Sequence, residues 1–159
     1  MLKLYRKIDA KIEYWETWDA NKKIGIIHWG VVGERGQDKE LKGSFFNDFH
    51  KVIQSEIDKM IQQGFAPVED ENIHRLIIEY KIEDQGSESD LKKIQKLEER
   101  MNETLGWTGL GSCDGNSIGS GTMEVCCFVV DFKIGKRVIE NDLRSTEFEN
   151  YSRIYDEDE

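Results

Sequence analysis

Over its first third the chain alternates hydrophobic and polar positions with a period of two, then shifts to a period near 3.6. Lys11 to Asp19 sets Ile12, Tyr14, Glu16 and Trp18 against Lys11, Glu13, Trp15 and Thr17, which predicts a strand with aromatics on both faces. Ala20-Asn21-Lys22 reads as a turn. Lys23 to Val32 then returns as an antiparallel partner, with Ile24, Ile26 and His28 alternating against Ile27, Trp29 and Val31. Leu2 to Ile8 predicts a further strand, and the polar run Asp38 to Gly43 an edge strand. Ser44 offers an N-cap. Beyond it Phe49, Val52, Ile53, Ile57, Met60 and Ile61 recur at three- and four-residue spacing up to Gln63, with Gly64 just past the helix end. This half predicts one helix packed on one antiparallel sheet.

Pro67, the only proline, and the acidic run Glu69-Asp70-Glu71 mark a boundary. His74 to Glu83 alternates again and predicts a strand. A capped helix carrying Leu91, Ile94, Leu97, Met101 and Leu105 on one face follows, ending at Gly106. The glycine-dense segment 106–121 reads as a β-hairpin whose turn lies between Asp114-Gly115-Asn116 and Gly121, leading into a buried strand over Thr122 to Asp131. A short helix after Asp131 and a last strand within Tyr151 to Tyr155 complete the order strand, helix, strand, strand, helix, strand, which is that of a ferredoxin-like domain. The expected class is α+β, with a module over 1–66, a linker over 67–72, an acidic ferredoxin-like domain over 73–155 and a disordered acidic tail over 156–159.

The most distinctive stretch is His28-Trp29-Gly30-Val31-Val32-Gly33-Glu34-Arg35-Gly36-Gln37, which joins an apolar strand to a glycine-rich turn. Gly33 and Gly36 suit a chain that must leave a strand at positive φ. These residues resemble the WGR domain, a small module found beside the catalytic domain of some poly(ADP-ribose) polymerases and also in bacterial proteins. Its pattern is W-G-R-[VI]-G, two residues, G-Q, a polar strand, then an amphipathic helix ending in Gly-aromatic. Trp29, Gly30, Val32, Gly33, Gly36 and Gln37 fall in register, and Gly64-Phe65 closes the helix. Val31 stands where the family carries its arginine. The resemblance implies contact between Trp29 and the sugar-phosphate end of a nucleic acid. Val31, however, supplies neither charge nor forked donors for phosphate, and Arg35, with Lys22, Lys23, Lys39 and Lys42, is the nearest substitute.

Charge then shifts the emphasis from nucleic acid to protein. The 159-residue chain has a formal net charge of −10. Residues 1–68 carry 11 Lys+Arg against 10 Asp+Glu, and residues 69–159 carry 11 against 22. Such a balance lacks the basic footprint of a nucleic-acid binder and favours a basic protein partner. With 34% charged and 38% hydrophobic residues the chain reads as globular. No apolar run is long enough to span a bilayer and the N-terminus has no secretion-signal core, so a cytoplasmic location and no membrane partner are expected.

Candidate chemistry is sparse. Cys113, Cys126 and Cys127 suggest neither a disulfide framework nor a zinc site and are expected as small buried groups, the last two on opposite strand faces. His28, His50 and His74 are scattered without ligand spacing and are expected at the surface or partly packed, so no metal and no cofactor is expected. Trp18 shares a strand face with Ile12 and Tyr14 and is expected in the core. Segment 106–121 lacks the phosphate-cradle spacings, and no nucleophile or metalloprotease motif is present. The leading expectation is a non-enzymatic bacterial-type binding protein that neutralises a basic protein in the manner of an immunity protein. Its partner-binding candidates are Trp29, Arg35, Gln37 and Lys39, with Gly30, Gly33 and Gly36 as structural turn residues. The alternatives are nucleic-acid-end binding, and an enzyme using the 109–121 segment.

Overall fold

The computed structural model describes residues 1–43 and 48–157. The chain is α+β and divides into two compact units, Met1–Glu69 and Asp70–Glu159. Among the described residues there are three α-helices and two four-stranded sheets, antiparallel throughout.

The first unit holds β1 (Leu2–Ile8), β2 (Lys11–Asn21), β3 (Ile24–Val31) and β4 (Gln37–Lys42), paired in the order β1-β2-β3-β4. Ala20 and Asn21 belong to β2, whose register shifts between Asp19 and Asn21, so the turn falls one step later than expected. Helix α1 (Phe49–Gln62) starts at Asp48, whose side chain accepts from the His50 backbone N–H; the expected cap, Ser44, lies outside the described residues. At the other end Gly64 takes φ +90°, its N–H reaching Ile61 O at 3.0 Å while that of Phe65 reaches Met60 O at 3.0 Å. These paired bonds form a Schellman motif, which an L side chain at position 64 would strain. The motif aims Phe65 at the sheet and feeds Ala66 onto β1, where Tyr5 and Ala66 exchange backbone bonds of 2.8 and 2.9 Å.

Register sorts the first sheet into two unlike faces, because side chains directly opposite share a face. Toward α1 the pairs Leu4↔Trp15 and Trp15↔Trp29 form a hydrophobic row. Leu4, Trp15, Ile27 and Phe65 form the core cluster there, with Trp29, Leu41, Ile57 and Met60 packed against it. On the reverse face Lys3↔Glu16, Glu16↔His28 and His28↔Asp38 form a polar row. Trp18 stands half-buried on this second face beside His28, so the fully buried tryptophan is Trp15, not Trp18. Within α1, Val52 and Ile61 are exposed although they match the hydrophobic spacing.

The second unit runs β5 (His74–Lys81), α2 (Glu88–Trp107), β6 (Gly111–Gly119), β7 (Thr122–Val129), α3 (Phe132–Leu143) and β8 (Arg153–Asp156), with sheet order β6-β7-β5-β8. Ser87 and Asp90 form a reciprocal capping box on α2, and Asp131 caps α3 through Ile134 N. Leu76, Ile78 and Tyr80 of β5 and Met123, Val125, Cys127 and Val129 of β7 are buried, as are Ile94, Leu97, Met101 and Leu105 of α2. Leu91 is exposed one turn before that stripe begins.

Two expectations are corrected in this unit and one is narrowed. The hairpin forms with its tight turn at Ser120-Gly121, the far end of the expected span, and Asp114-Gly115 sits in a register shift inside β6. Cys113 and Cys127 are direct partners across β6 and β7, 4.0 Å apart at Cα, and form a disulfide; Cys126 points to the other face. The expected disordered tail does not include Asp156 or Glu157. Asp156 is the buried last residue of β8 and accepts from His74 Nδ1 at 2.7 Å, while Glu157 pairs with Arg75 at 2.9 Å. Positions 158 and 159 lie outside the described residues.

Candidate ligand-binding site

The candidate site lies on the α1 side of the first sheet. Gly25 lets the start of α1 settle directly onto β3: a Cβ there would stand 2.6 Å from Ile53 and 2.8 Å from Phe49. Farther along, the indoles of Trp15 and Trp29 occupy the same sheet face, and bulky rings hold a helix off a sheet where glycine does not. A cavity of about 450 Å³ opens at this end, floored by Trp15, Ile27, Trp29, Gly30 and Val31 and walled by Met60, Gln63 and Phe65. Its volume falls in the range of small-ligand sites, roughly 300–1,000 Å³.

Charged groups ring the opening in pairs. Arg6 and Glu13 are opposed across β1 and β2, and the guanidinium donates to Glu13 Oε2 from Nη2 at 2.6 Å and from Nε at 3.2 Å. Its third arm, Nη1, donates to Gln63 O at 2.9 Å and caps α1, while the group lies 4.5 Å from the Phe65 ring centroid. Arg6 is therefore fully committed. Glu56 accepts from Lys59 at 2.8 Å, and that bond, reinforced by the positive charges of Lys59 and then Lys39, holds its carboxyl below the usual range. Lys39, exposed on β4, lines the cavity and makes no hydrogen bond or ion pair among the described residues.

The residues singled out in the sequence divide sharply by position. Trp29, Gly30 and Lys39 line the cavity, as does Val31. Gln37 lies directly opposite Trp29 on β4 but is exposed and outside the lining. Arg35 is exposed in the turn after β3, also outside the lining. Of the three turn glycines only Gly33 takes positive φ, at +90°. Gly36 is needed for space: a Cβ would stand 1.9 Å from the Tyr14 hydroxyl, 2.4 Å from His28 Nε2 and 2.8 Å from Trp29 O. Gly30 is similarly confined by Gly36 Cα and the Tyr14 ring, at 3.1–3.2 Å.

Sequence reading missed the polar row beneath that turn. His28, expected near the surface, is 1% exposed; its Nδ1 lies 2.6 Å from Glu16 Oε1 and its Nε2 3.0 Å from the Tyr14 hydroxyl. Lys3 Nζ stands 3.3 Å from the second oxygen of Glu16. Burial, and then the negative charge of Glu16, push the Tyr14 phenol well above its ordinary value. The Tyr14 hydroxyl and the Glu16 carboxylate thus engage both ring nitrogens of His28. The contact of Gly36 with both groups closes the arrangement, so it acts as a pin for the turn. The row emerges only from the register that brings Lys3, Glu16 and His28 side by side.

Among the described residues no group of three or more His, Cys, Asp or Glu side chains is placed to hold a metal, and no helix is long and apolar enough to cross a membrane. No family model, no curated protein and no solved structure matches the chain.

Proposed function

We propose that this chain is a binding protein without catalytic chemistry, a WGR-like module followed by an acidic ferredoxin-like domain, that docks onto a basic protein partner as immunity proteins do. The observation that carries the reading is the Trp29 cavity. It offers a half-buried indole on a rigid four-stranded support, and aromatic anchors in desolvated pockets dominate protein recognition. The glycine turn, the strand pairing Trp29↔Gln37 and the Gly64-Phe65 helix end support the WGR-like reading of the first unit. The order β6-β7-β5-β8 and the succession of elements support the ferredoxin-like reading of the second. Residues 70–159 carry 11 Lys+Arg against 21 Asp+Glu, which steers a basic partner. Nucleic-acid-end binding has weaker support. Arg35 stands outside the cavity, and residues 1–68 carry 11 Lys+Arg against 10 Asp+Glu, short of the basic footprint that phosphate backbones require.

Affinity capture from the native host with the intact protein and its Trp29→Ala variant in parallel tests this reading. A basic protein retained by the parent and weakened about tenfold or more by the variant is the expected result. Equal retention by both, or capture of 5′-phosphorylated DNA in place of protein, overturns it.

A further inference from the structure

The cavity also constrains the chemistry of what enters it, and this step rests on reading the Trp29 site as the docking site. Counting the groups whose charge bears on the cavity, Glu13 is offset by Arg6 and Glu56 by Lys59, which leaves Lys39 as the one cation without a hydrogen-bonded or ion-paired partner among the described residues. A cationic side chain is a poor guest. The Phe65 ring is already covered by the Arg6 guanidinium 4.5 Å away, and Lys39 would repel the newcomer. An aromatic anion suits both features at once, with Trp15, Trp29 and Met60 receiving the ring and the Lys39 ammonium the charge.

Spacing narrows the guest further. Lys39 is opposite Ile27, two residues from Trp29 on β3, so the residues that carry the indole and the ammonium form a diagonal cross-strand pair, roughly 7–8 Å apart in backbone, and a guest that presents a ring and an anion close together meets both. One residue meets that requirement when its aromatic side chain and its own α-carboxylate are both present, which happens only at a chain terminus. We infer that the Trp29 cavity receives the carboxyl-terminal aromatic residue of a partner chain, the ring stacked against Trp29 and the terminal carboxylate bound by Lys39.

Calorimetric titration of the full chain with three probes tests this: an N-acetylated hexapeptide ending in phenylalanine as the free acid, the same peptide as its C-terminal amide, and N-acetylphenylalanine. The free-acid peptide should bind about tenfold more tightly than the amide, the scale of one charge-assisted hydrogen bond, with the gap narrowing as salt rises. Lys39→Gln should erase that difference while leaving the amide unchanged, and Trp29→Ala should weaken both peptides. Equal binding of acid and amide would overturn the carboxylate assignment and leave the docking cavity standing. N-acetylphenylalanine binding as tightly as the peptide would overturn the chain terminus in favour of a free aromatic acid. If neither hexapeptide binds at millimolar concentration the inference falls, while retention of a basic partner that Trp29→Ala weakens would still carry the docking reading.

Discussion

The two faces of the first sheet are built from the same strands and differ in what they do with polar groups. On the reverse face, Lys3, Glu16, His28 and Tyr14 satisfy one another and are sealed by Gly36. On the α1 face, Trp15 and Trp29 stand where a continuous core would be, yet α1 does not fill the space beside them, and Lys39 at its edge makes no hydrogen bond or ion pair among the described residues. A face whose buried polar groups are paired with one another specifies structure, because any buried member left unpaired would carry its full desolvation cost. A face with unfilled apolar volume and an exposed ammonium at its edge is suited to recognition. Under the proposed function, recognition falls to the Trp29 side and the rigidity of the glycine turn to the His28 side.

The contrast is broken most severely at Glu16. Replacing it with leucine strips Lys3 and His28 of their shared acceptor, and a buried pair broken from one side costs about 3–5 kcal/mol. Urea denaturation monitored by circular dichroism should show that loss; a shift under about 1 kcal/mol would mean the row is not a structural pin. Gly36→Ala should cost less, about 1–3 kcal/mol, because the added methyl collides with Tyr14 and Trp29 O and the turn must move. An unchanged midpoint would show that the turn is loose.

A pH series sharpens the same comparison. Burial and the charge of Glu16 raise the phenols of Tyr5 and Tyr14 above their ordinary value of 10.0. The folded chain therefore holds these protons after the unfolded chain has released them, and stability that is complete below pH 10 is lost as pH rises beyond it. Lys3 runs the other way: its burial lowers its value from 10.5, a cost to the fold that is relieved as pH rises toward that value. The tyrosines are the larger contribution, so Tyr14→Phe should flatten the alkaline limb above pH 10. A limb unchanged by the substitution would place the alkaline sensitivity elsewhere.

The cavity face should show the smallest effects on folding. Lys39→Gln should leave the denaturation midpoint unchanged, since the side chain is exposed and makes no hydrogen bond or ion pair among the described residues. A marked loss would make Lys39 a structural residue and remove it from the recognition account.

Much of this architecture was legible in the period of the pattern. Strands β1 to β4 and helices α1 to α3 follow from alternation and from three- and four-residue spacing, with errors where propensity is weakest, at the Ala20-Asn21 bulge and the short β8. Pairing across strands was not legible, because register depends on which face is buried. The Arg6–Glu13 pair, the Lys3–Glu16–His28 row and the Cys113–Cys127 bond all arise from residues brought opposite one another by register. Of the candidate site, Trp29 and Gly30 could be singled out from the glycine turn. Trp15, Met60 and Phe65 could not, since each reads from the sequence as plain core. Arg35 was drawn in by its closeness along the chain, but the turn places it outside the cavity lining.

The most direct test of the account is to follow the indole N–H resonances of Trp15, Trp18, Trp29 and Trp107, assigned by single Trp→Phe variants, while the free-acid hexapeptide is titrated into the full chain. The Trp29 signal should shift most and Trp15 to a smaller degree, while Trp18 and Trp107 stay in place. A shift confined to Trp18 or Trp107, with Trp29 unmoved, would contradict the account.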